Sequence, residues 1–283
     1  MLRAVLMLLA ANLLGGLTYP WQKMALRGLP PGTLALLRTV AGLACMAAWL
    51  AWRGNLRWRW DRRETARLAA VGILAFAAPQ LLGILGVGLS TSADASLLIL
   101  LEPVGILLFS RWLLGEPVGG RRSVGVGLGM AGALLVVTEG AGGPLLSSGH
   151  FRGNLLLAAS GLLWGLWTPL MSPLAKRHGA VENTFGSTVF ALLLFLPAAP
   201  LEGTDWISGP DAAPSLGYAV LLGVMATFLS TVLWAASLAR LPSPVVAPFV
   251  LLQPAVGALA GVWLLDETLP PRTLAGAGLA AAG

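Results

Sequence analysis

Glu102 stands nine residues inside an apolar run that begins near residue 93, and no other acidic side chain lies so deep in such a run. If the run is a membrane helix, that is about 13 Å below the nearer surface. A charge there costs about 2.5–3.5 kcal/mol even on the lenient insertion scale. Such an acid faces protein or water, or holds a proton. Its chemistry would be to bind a substrate ammonium or carry a proton; the plainer reading is a carboxylate that bonds a neighbouring helix. Gln253 holds the corresponding place 151 residues later, and prolines follow both, Pro103 and Pro254. Proline has no N–H, so it deprives the carbonyl four residues earlier of its helical donor. Those carbonyls belong to Ile99 and Val250, and a freed carbonyl in a cavity binds cations. Arg38 lies about 8 Å into a second run. It could pair with Glu102, meet a substrate carboxylate, or snorkel to the headgroups; its shallow depth favours snorkelling. Gln80, beside Pro79, sits near the middle of a third run and is a polar candidate for a cavity wall.

Aromatic residues form the second set. Of 11 tryptophans, Trp21, Trp49, Trp52, Trp58, Trp60 and Trp112 fall near the ends of apolar runs, where anchoring at the membrane surface is the default role. Trp164, Trp167 and Trp234 fall nearer the middle of theirs. Their indoles could stack on an apolar or aromatic substrate, or pack against lipid and other helices. Trp164 and Trp167 are three apart and so about 60° off a common face, which predicts that they contribute unequally. Tyr19 aligns with Thr168, and that position is polar in both halves of the chain. Enzyme chemistry has little material. His150 and His178 are the only histidines, each alone between apolar runs, and Cys45 is the only cysteine. No metal set, Ser-His arrangement or nucleotide-binding motif is present, and no cofactor is implied.

The elements that must position these groups follow from composition. The chain of 283 residues is 57% hydrophobic and 11% charged, with mean hydropathy +0.80. A soluble domain carries about 25% charged residues, so the class is an all-α membrane protein in a lipid bilayer. Runs near 2–21, 33–52, 67–89, 93–114, 122–139, 154–173, 184–201, 215–239, 243–265 and 273–283 predict about ten transmembrane helices, the last of them short. The first run is not a signal peptide, because its pattern returns in mid-chain. The pI of about 10.7 does not point to nucleic acid, since the basic residues sit in short tracts between the runs. Arg3, Arg53, Arg57, Arg59, Arg62, Arg63, Arg67, Arg111, Arg121, Arg122, Lys176, Arg177 and Arg240 fall on one side; Lys23, Arg27, Arg152 and Arg272 fall on the other. This bias predicts a cytoplasmic N-terminus. The segment with Glu202, Asp205 and Asp211 carries no basic residue, which fits the outside.

A second copy of the first half follows about 150 residues later. Gly16-Leu17 and Pro20 recur as Gly165-Leu166 and Pro169; Thr39-Val40 recurs as Thr188-Val189. Leu101-Glu102-Pro103 matches Leu252-Gln253-Pro254, and Trp112-Leu113-Leu114-Gly115-Glu116 matches Trp263-Leu264-Leu265-Asp266-Glu267. Residues 1–140 and 150–283 thus read as two repeats. Five runs per repeat is an odd number, so the second enters the membrane from the opposite side. Inverted repeats are a device of secondary transporters, with the substrate near the midplane. Pro20, Pro79, Pro103, Pro169 and Pro254 are the candidate hinges.

The ten-run pattern, the Gly-Leu-x-x-Pro elements and the closing Trp-Leu-Leu-Gly-Glu and Trp-Leu-Leu-Asp-Glu resemble the drug/metabolite transporter superfamily, nearest its EamA-type permeases. The resemblance implies ten helices around a central cavity, export of small metabolites such as amino acids, and a bacterial inner membrane. In that family the first helix of each half carries a Trp-Gly pair. Here the second half has Trp164-Gly165 and the first has Gly15-Gly16, which predicts a less aromatic, roomier first-half wall. Gly125, Gly127, Gly129 and Gly132 form a close-packing ladder that serves contacts within the monomer or a homodimer. A membrane-embedded enzyme would need clustered acids or a metal motif at one interface. A scaffold or sensor would have no need of inverted repeats with polar residues at the midplane.

Overall fold

The structure, a computed structural model, describes residues 2–57, 60–115, 124, 127, 128, 131, 150–241, 246, 249–250, 252–267, 271, 274–275 and 278. Its elements are helical: α1 (Leu2–Ala25), α2 (Pro31–Trp52), α3 (Arg62–Ala70), a π-helical stretch Val71–Ala77, α4 (Ala78–Leu89), α5 (Ser92–Leu98) and α6 (Leu101–Leu114). Then follow α7 (Phe151–Ala175), α8 (Ala180–Phe195), α9 (Ala198–Glu202), a 3-10 turn Asp205–Ser208, α10 (Ala212–Leu222), a π-helical stretch Gly223–Ser230, α11 (Thr231–Leu238) and α12 (Leu252–Leu265). Seven stretches are long and apolar enough to cross a membrane: Leu2–Ala25, Pro31–Trp52, Arg62–Leu89, Asp94–Leu114, Phe151–Ala175, Ala180–Glu202 and Ala212–Leu238; α12 is a shorter apolar helix. The expected runs 122–139 and 273–283 lie almost wholly outside the described residues. So does most of the glycine ladder; at Gly127, which is described, an added Cβ would meet no neighbour.

The outside of this bundle is apolar, and its mostly apolar inside also takes in polar groups. Leu6, Leu74, Leu155, Leu259, Trp112 and Trp263 are exposed, while Asn12, Arg38, Thr39, Gln80 and Thr168 are buried. An apolar exterior around a mostly apolar interior that also takes in polar groups is what a hydrocarbon surround selects. Trp52, at 76% exposed, fits the expected belt; Trp60 does not, being buried with its Nε1 donating to Asn183 Oδ1 at 3.0 Å. A ring N–H without water needs a protein acceptor, and Asn183 supplies it.

Hydrogen bonds order the helices by direction. At one end Lys23 Nζ, late in α1, donates to Val87 O at 2.7 Å and to Ser90 O after α4. Ser90 also bonds Asn154 at the start of α7. At the opposite end Ser237 Oγ of α11 donates to Ala4 O of α1 at 3.2 Å, and Glu64 of α3 meets Arg177 and His178, which follow α7, at 3.2 and 3.0 Å. Helices α1 and α7 therefore start at opposite ends.

Close contacts repeat between the halves. Gly16 of α1 packs on α12, where an added Cβ would lie 2.7 Å from Val256 Cβ; Gly165 of α7 packs on α6, where a Cβ would lie 2.5 Å from the Gly105 carbonyl carbon. Gly16 and Gly165 are 149 apart, and Gly105 and Val256 are 151 apart. Gly223 would set a Cβ 2.6 Å from Arg38 O of α2, and Gly72 would set one against Ser187 O of α8. Those four also pair at offsets of 151 and 149. Each glycine opens its π-helical stretch or stands one residue into it. Small residues at such points let backbones touch, and in lipid that contact supplies much of the association energy.

The prolines act differently from expectation. The chain leaves the helix at Ile99–Leu100, and Glu102 N–H donates to Ile99 O at 2.7 Å. The Ile99 carbonyl is therefore not left without a donor. The break moves Pro103 into the first turn of α6, where its missing N–H would be unpaired anyway. Pro254 likewise falls in the first turn of α12, whereas Pro79 stands inside the continuous helical span Arg62–Leu89, just after its π-helical stretch. Pro20 and Pro169 stand inside unbroken helices.

Candidate functional site

Helix α1 has a polar face at helical spacing. Ala11, Gly15, Thr18 and Gln22 follow one another at four-, three- and four-residue intervals, and Tyr19, beside Thr18, is four from Gly15 and three from Gln22, so all five line up along the helix. All five border a cavity of about 130 Å³ in the centre of the bundle. Arg38 of α2, Gln80 of α4, Glu102 of α6, Trp164 and Trp167 of α7, Trp234 of α11 and Gln253 of α12 border the same space, with Pro79. The π-helical stretches add Phe76, Ala226, Thr227 and Ser230. An extra residue per turn shifts the register of one face against its neighbour and is a frequent mark of functional sites.

Arg38 does not snorkel. It is only 5% exposed, donating from Nη1 to Gln22 Oε1 at 3.0 Å and from Nε to Thr227 Oγ1 at 3.3 Å. Two polar partners inside the bundle outcompete a reach of about 8 Å to the headgroups, because the guanidinium needs several acceptors at once. Glu102 makes no ion pair or side-chain hydrogen bond among the described residues, and Arg38 makes no ion pair there. Tyr19 stands within electrostatic reach of both. The cavity thus holds a buried cation and a buried acid that do not neutralise each other directly.

The amide side chains are anchored. Gln80 Nε2 donates to Thr39 Oγ1 at 3.2 Å, and Gln80 Oε1 is buried with no partner. Gln253 Nε2 donates to Asn12 Oδ1 at 2.9 Å. The space beside Gly15 is not roomier: a Cβ there would lie 2.8 Å from Gln253 Cδ, so the carboxamide fills it. The aromatic wall is asymmetric. Trp164 packs edge-on against Phe76 at 5.5 Å between ring centres, and Trp167 and Trp234 are almost fully buried. Both Trp164 and Trp167 border the cavity, whereas a single helix face favours one; the cavity wraps around α7 far enough to touch both. Thr168 lies behind the wall, fully buried, accepting from Trp234 Nε1 at 3.4 Å.

Sequence reasoning did not single out Gln22, Thr227, Phe76, Ser160, Asn12 or Thr39. Gln22 was within reach, since it continues the face of Thr18 and Tyr19. The rest are small polar or apolar residues common in membrane helices, and only the packing separates those that face the cavity.

At one end of the bundle hydrogen bonds tie α1, α4, α5, α7 and α12 together. Glu267, just past α12, accepts from Ser92 N at 2.9 Å and from Ser92 Oγ at 2.7 Å. Lys23 holds the carbonyls at the end of α4, and Ser90 bonds Asp94 at 3.0 Å.

Comparison with known proteins agrees with this architecture. The model of the EamA-like transporter family matches residues 2–138 and 151–283. A Pseudomonas aeruginosa protein, "Uncharacterized protein PA1977", is 34% identical over 170 residues, 59% of this chain and 54% of that protein, so the match spans about half its length. A "Probable terminal-alkyne amino-acid exporter" of Streptantibioticus cattleyicolor is 28% identical over 94% of this chain and 86% of its own. A solved structure titled "Crystal structure of protein" superposes with a TM-score of 0.68 at 22% identity, covering 99% of this chain and 94% of that one, a likeness of fold.

Proposed function

The chain belongs to the EamA-like transporter family, and from that premise we propose that this membrane transporter is a secondary exporter of small amino-bearing metabolites such as amino acids. The observation that carries the reading is the central cavity in which Arg38 and Glu102 are both buried, unpaired with each other, beside an aromatic wall. A zwitterion satisfies that arrangement: its carboxylate faces Arg38, its ammonium faces Glu102, and its side chain rests on Trp164, Trp167 and Phe76. Two isolated charges inside a membrane protein are costly, and a ligand that brings both opposite charges offsets both costs. The name of the Streptantibioticus relative supports an amino-acid-like substrate.

Alternating access is the mechanism we attach to it. The equivalent contacts that Gly16 makes with α12 and Gly165 with α6, and that Gly72 makes with α8 and Gly223 with α2, support two inverted five-helix repeats, residues 1–140 and 150–283, related by a pseudo-two-fold axis. Equivalent packing in opposite directions gives two states of similar energy, one open to each side. The Lys23, Ser92 and Glu267 contacts are the closure that parts in the other state. The charge bias of the connecting segments supports an outward-facing position for that end and a cytoplasmic N-terminus, and the family membership supports a bacterial inner membrane. Everted membrane vesicles carrying the protein should accumulate labelled amino acids faster than vesicles without it. Equal uptake across a broad amino-acid panel would reject the reading.

A further inference from the structure

We propose that two hydrogen-bond relays orient Gln80 and Gln253 so that their carbonyl oxygens are the ends left for the cavity, and that this selects a substrate with an unsubstituted primary ammonium. The inference rests on the exporter reading above and sharpens its substrate class.

Each relay starts at a backbone carbonyl, which can only accept. Asn12 Nδ2 donates to Leu8 O at 2.7 Å, so the oxygen of Asn12 is turned toward Gln253. Gln253 answers with its Nε2 at 2.9 Å, which leaves its Oε1 as the unengaged end, over Gly15. In the second relay Thr39 Oγ1 donates to Ala35 O at 2.7 Å, so its lone pairs receive Gln80 Nε2 at 3.2 Å. Gln80 Oε1 is again the unengaged end, buried and without a partner. A flip of Gln253 would set its oxygen against Asn12 Oδ1, and a flip of Gln80 would require Thr39 to give up its bond to Ala35 O.

The hydroxyls follow the same rule. Thr18 donates to Leu14 O at 3.1 Å, Ser160 to Pro79 O at 2.7 Å, Ser230 to Ala11 O at 2.9 Å, and Thr231 to Thr227 O. All four border the cavity with their hydrogens spent on helix carbonyls. What remains is lone pairs, together with the carboxylate of Glu102. Donors border the same space at Arg38, Gln22, the Tyr19 hydroxyl and the indoles of Trp164 and Trp167. A buried carbonyl left without a donor is costly, so a ligand with several N–H groups gains where a methylated one does not. Thr39 and Asn12 are positioning residues: they act through the glutamines.

The test measures binding by calorimetry to the purified protein in lipid nanodiscs. For whichever of leucine, phenylalanine and threonine binds, the N,N,N-trimethyl derivative and the deaminated acid are compared; both keep the carboxylate for Arg38. The free amino acid should bind at least about tenfold more tightly than either. Thr39→Val lets Gln80 turn its NH2 inward, and the preference over the trimethyl derivative should fall below about threefold; Thr39→Ser should restore it. A merely structural role for Thr39 would lower affinity for every ligand alike and leave the ratio unchanged, which overturns the inference. So does equal binding of the trimethyl derivative, or no binding of any of the three amino acids. If that failure comes with saturable uptake of other solutes in everted vesicles, the amine reading alone falls; if the vesicles take up nothing, the exporter reading falls with it.

Discussion

Glu102 is set apart by what it lacks. It borders the cavity with no cation or donor engaged with its carboxylate among the described residues, and in the proposed function its partner is the substrate ammonium or a proton. Glu102→Gln keeps the shape and makes the position match Gln253. We expect the variant to insert and fold normally, but to lose about tenfold or more in affinity for amino acids, or to lose the pH dependence of uptake. Unchanged uptake and pH dependence would remove Glu102 from the mechanism. Gly15 offers a second residue-scale test. Because Gln253 fills the space a Cβ would need, Gly15→Ala should displace the carboxamide and weaken binding about tenfold. On a Gln253→Ala background the same substitution should have little further effect. Additive losses in that double-mutant cycle would show that the two residues act independently.

Helices decide how closely the walls approach. Gly72 meets the Ser187 carbonyl of α8 so closely that even a methyl group forces the backbones apart. Gly72→Ala should destabilise the protein by about 1–3 kcal/mol, seen as a lower melting temperature in detergent, and its counterpart Gly223→Ala should do the same. Only one of the two being sensitive would argue against equivalent packing in the two halves. On α7 the wall is aromatic, and stacking is worth about 0.5–1.5 kcal/mol beyond area. Trp164→Ala and Trp167→Ala should each weaken substrate binding up to about tenfold with normal expression. A loss confined to one of them would mean that the other only packs. Pro103 shows what proline alone leaves open at this scale: the chain breaks at Ile99–Leu100, the ring falls in a first turn, and the Ile99 carbonyl keeps a donor.

For the whole molecule the question is which contacts part during the cycle. Ser92 and Glu267 join α5 to the end of α12 across the halves. Placing cysteines at both positions on a Cys45→Ala background should give a disulfide under oxidation that stops transport and is released by reductant. Full transport by the cross-linked protein would show that this end does not open. The proposed orientation is checked on the same background: a cysteine at Ser208 should react with an impermeant reagent from outside intact cells, and one at Arg57 should not.

The membrane class and the positions of the seven described spans were legible from composition and order, and the same order carries the proposed repeat. Hydrocarbon demands about 20 apolar residues in a row whatever the fold, and a duplicated half keeps its Pro, Trp and acidic residues at fixed offsets. Glu102, Gln80 and Gln253 were legible for the same reason, since a polar group deep in an apolar run needs a cause. The sequence could not decide which of Arg38's several partners it takes, because Gln22 and Thr227 come within reach only when α1, α2 and the stretch Gly223–Ser230 pack together. Nor could it tell that Gln253 fills the gap beside Gly15, that Trp60 turns inward to Asn183, or that Ile99 keeps a donor. Hydrogen-bond direction belongs to the same class: the orientation of Gln80 is decided by Thr39, forty-one residues away in the chain. Apolar pattern is a property of a segment, whereas satisfaction of polar groups is a property of neighbours, and only the tertiary structure chooses the neighbours.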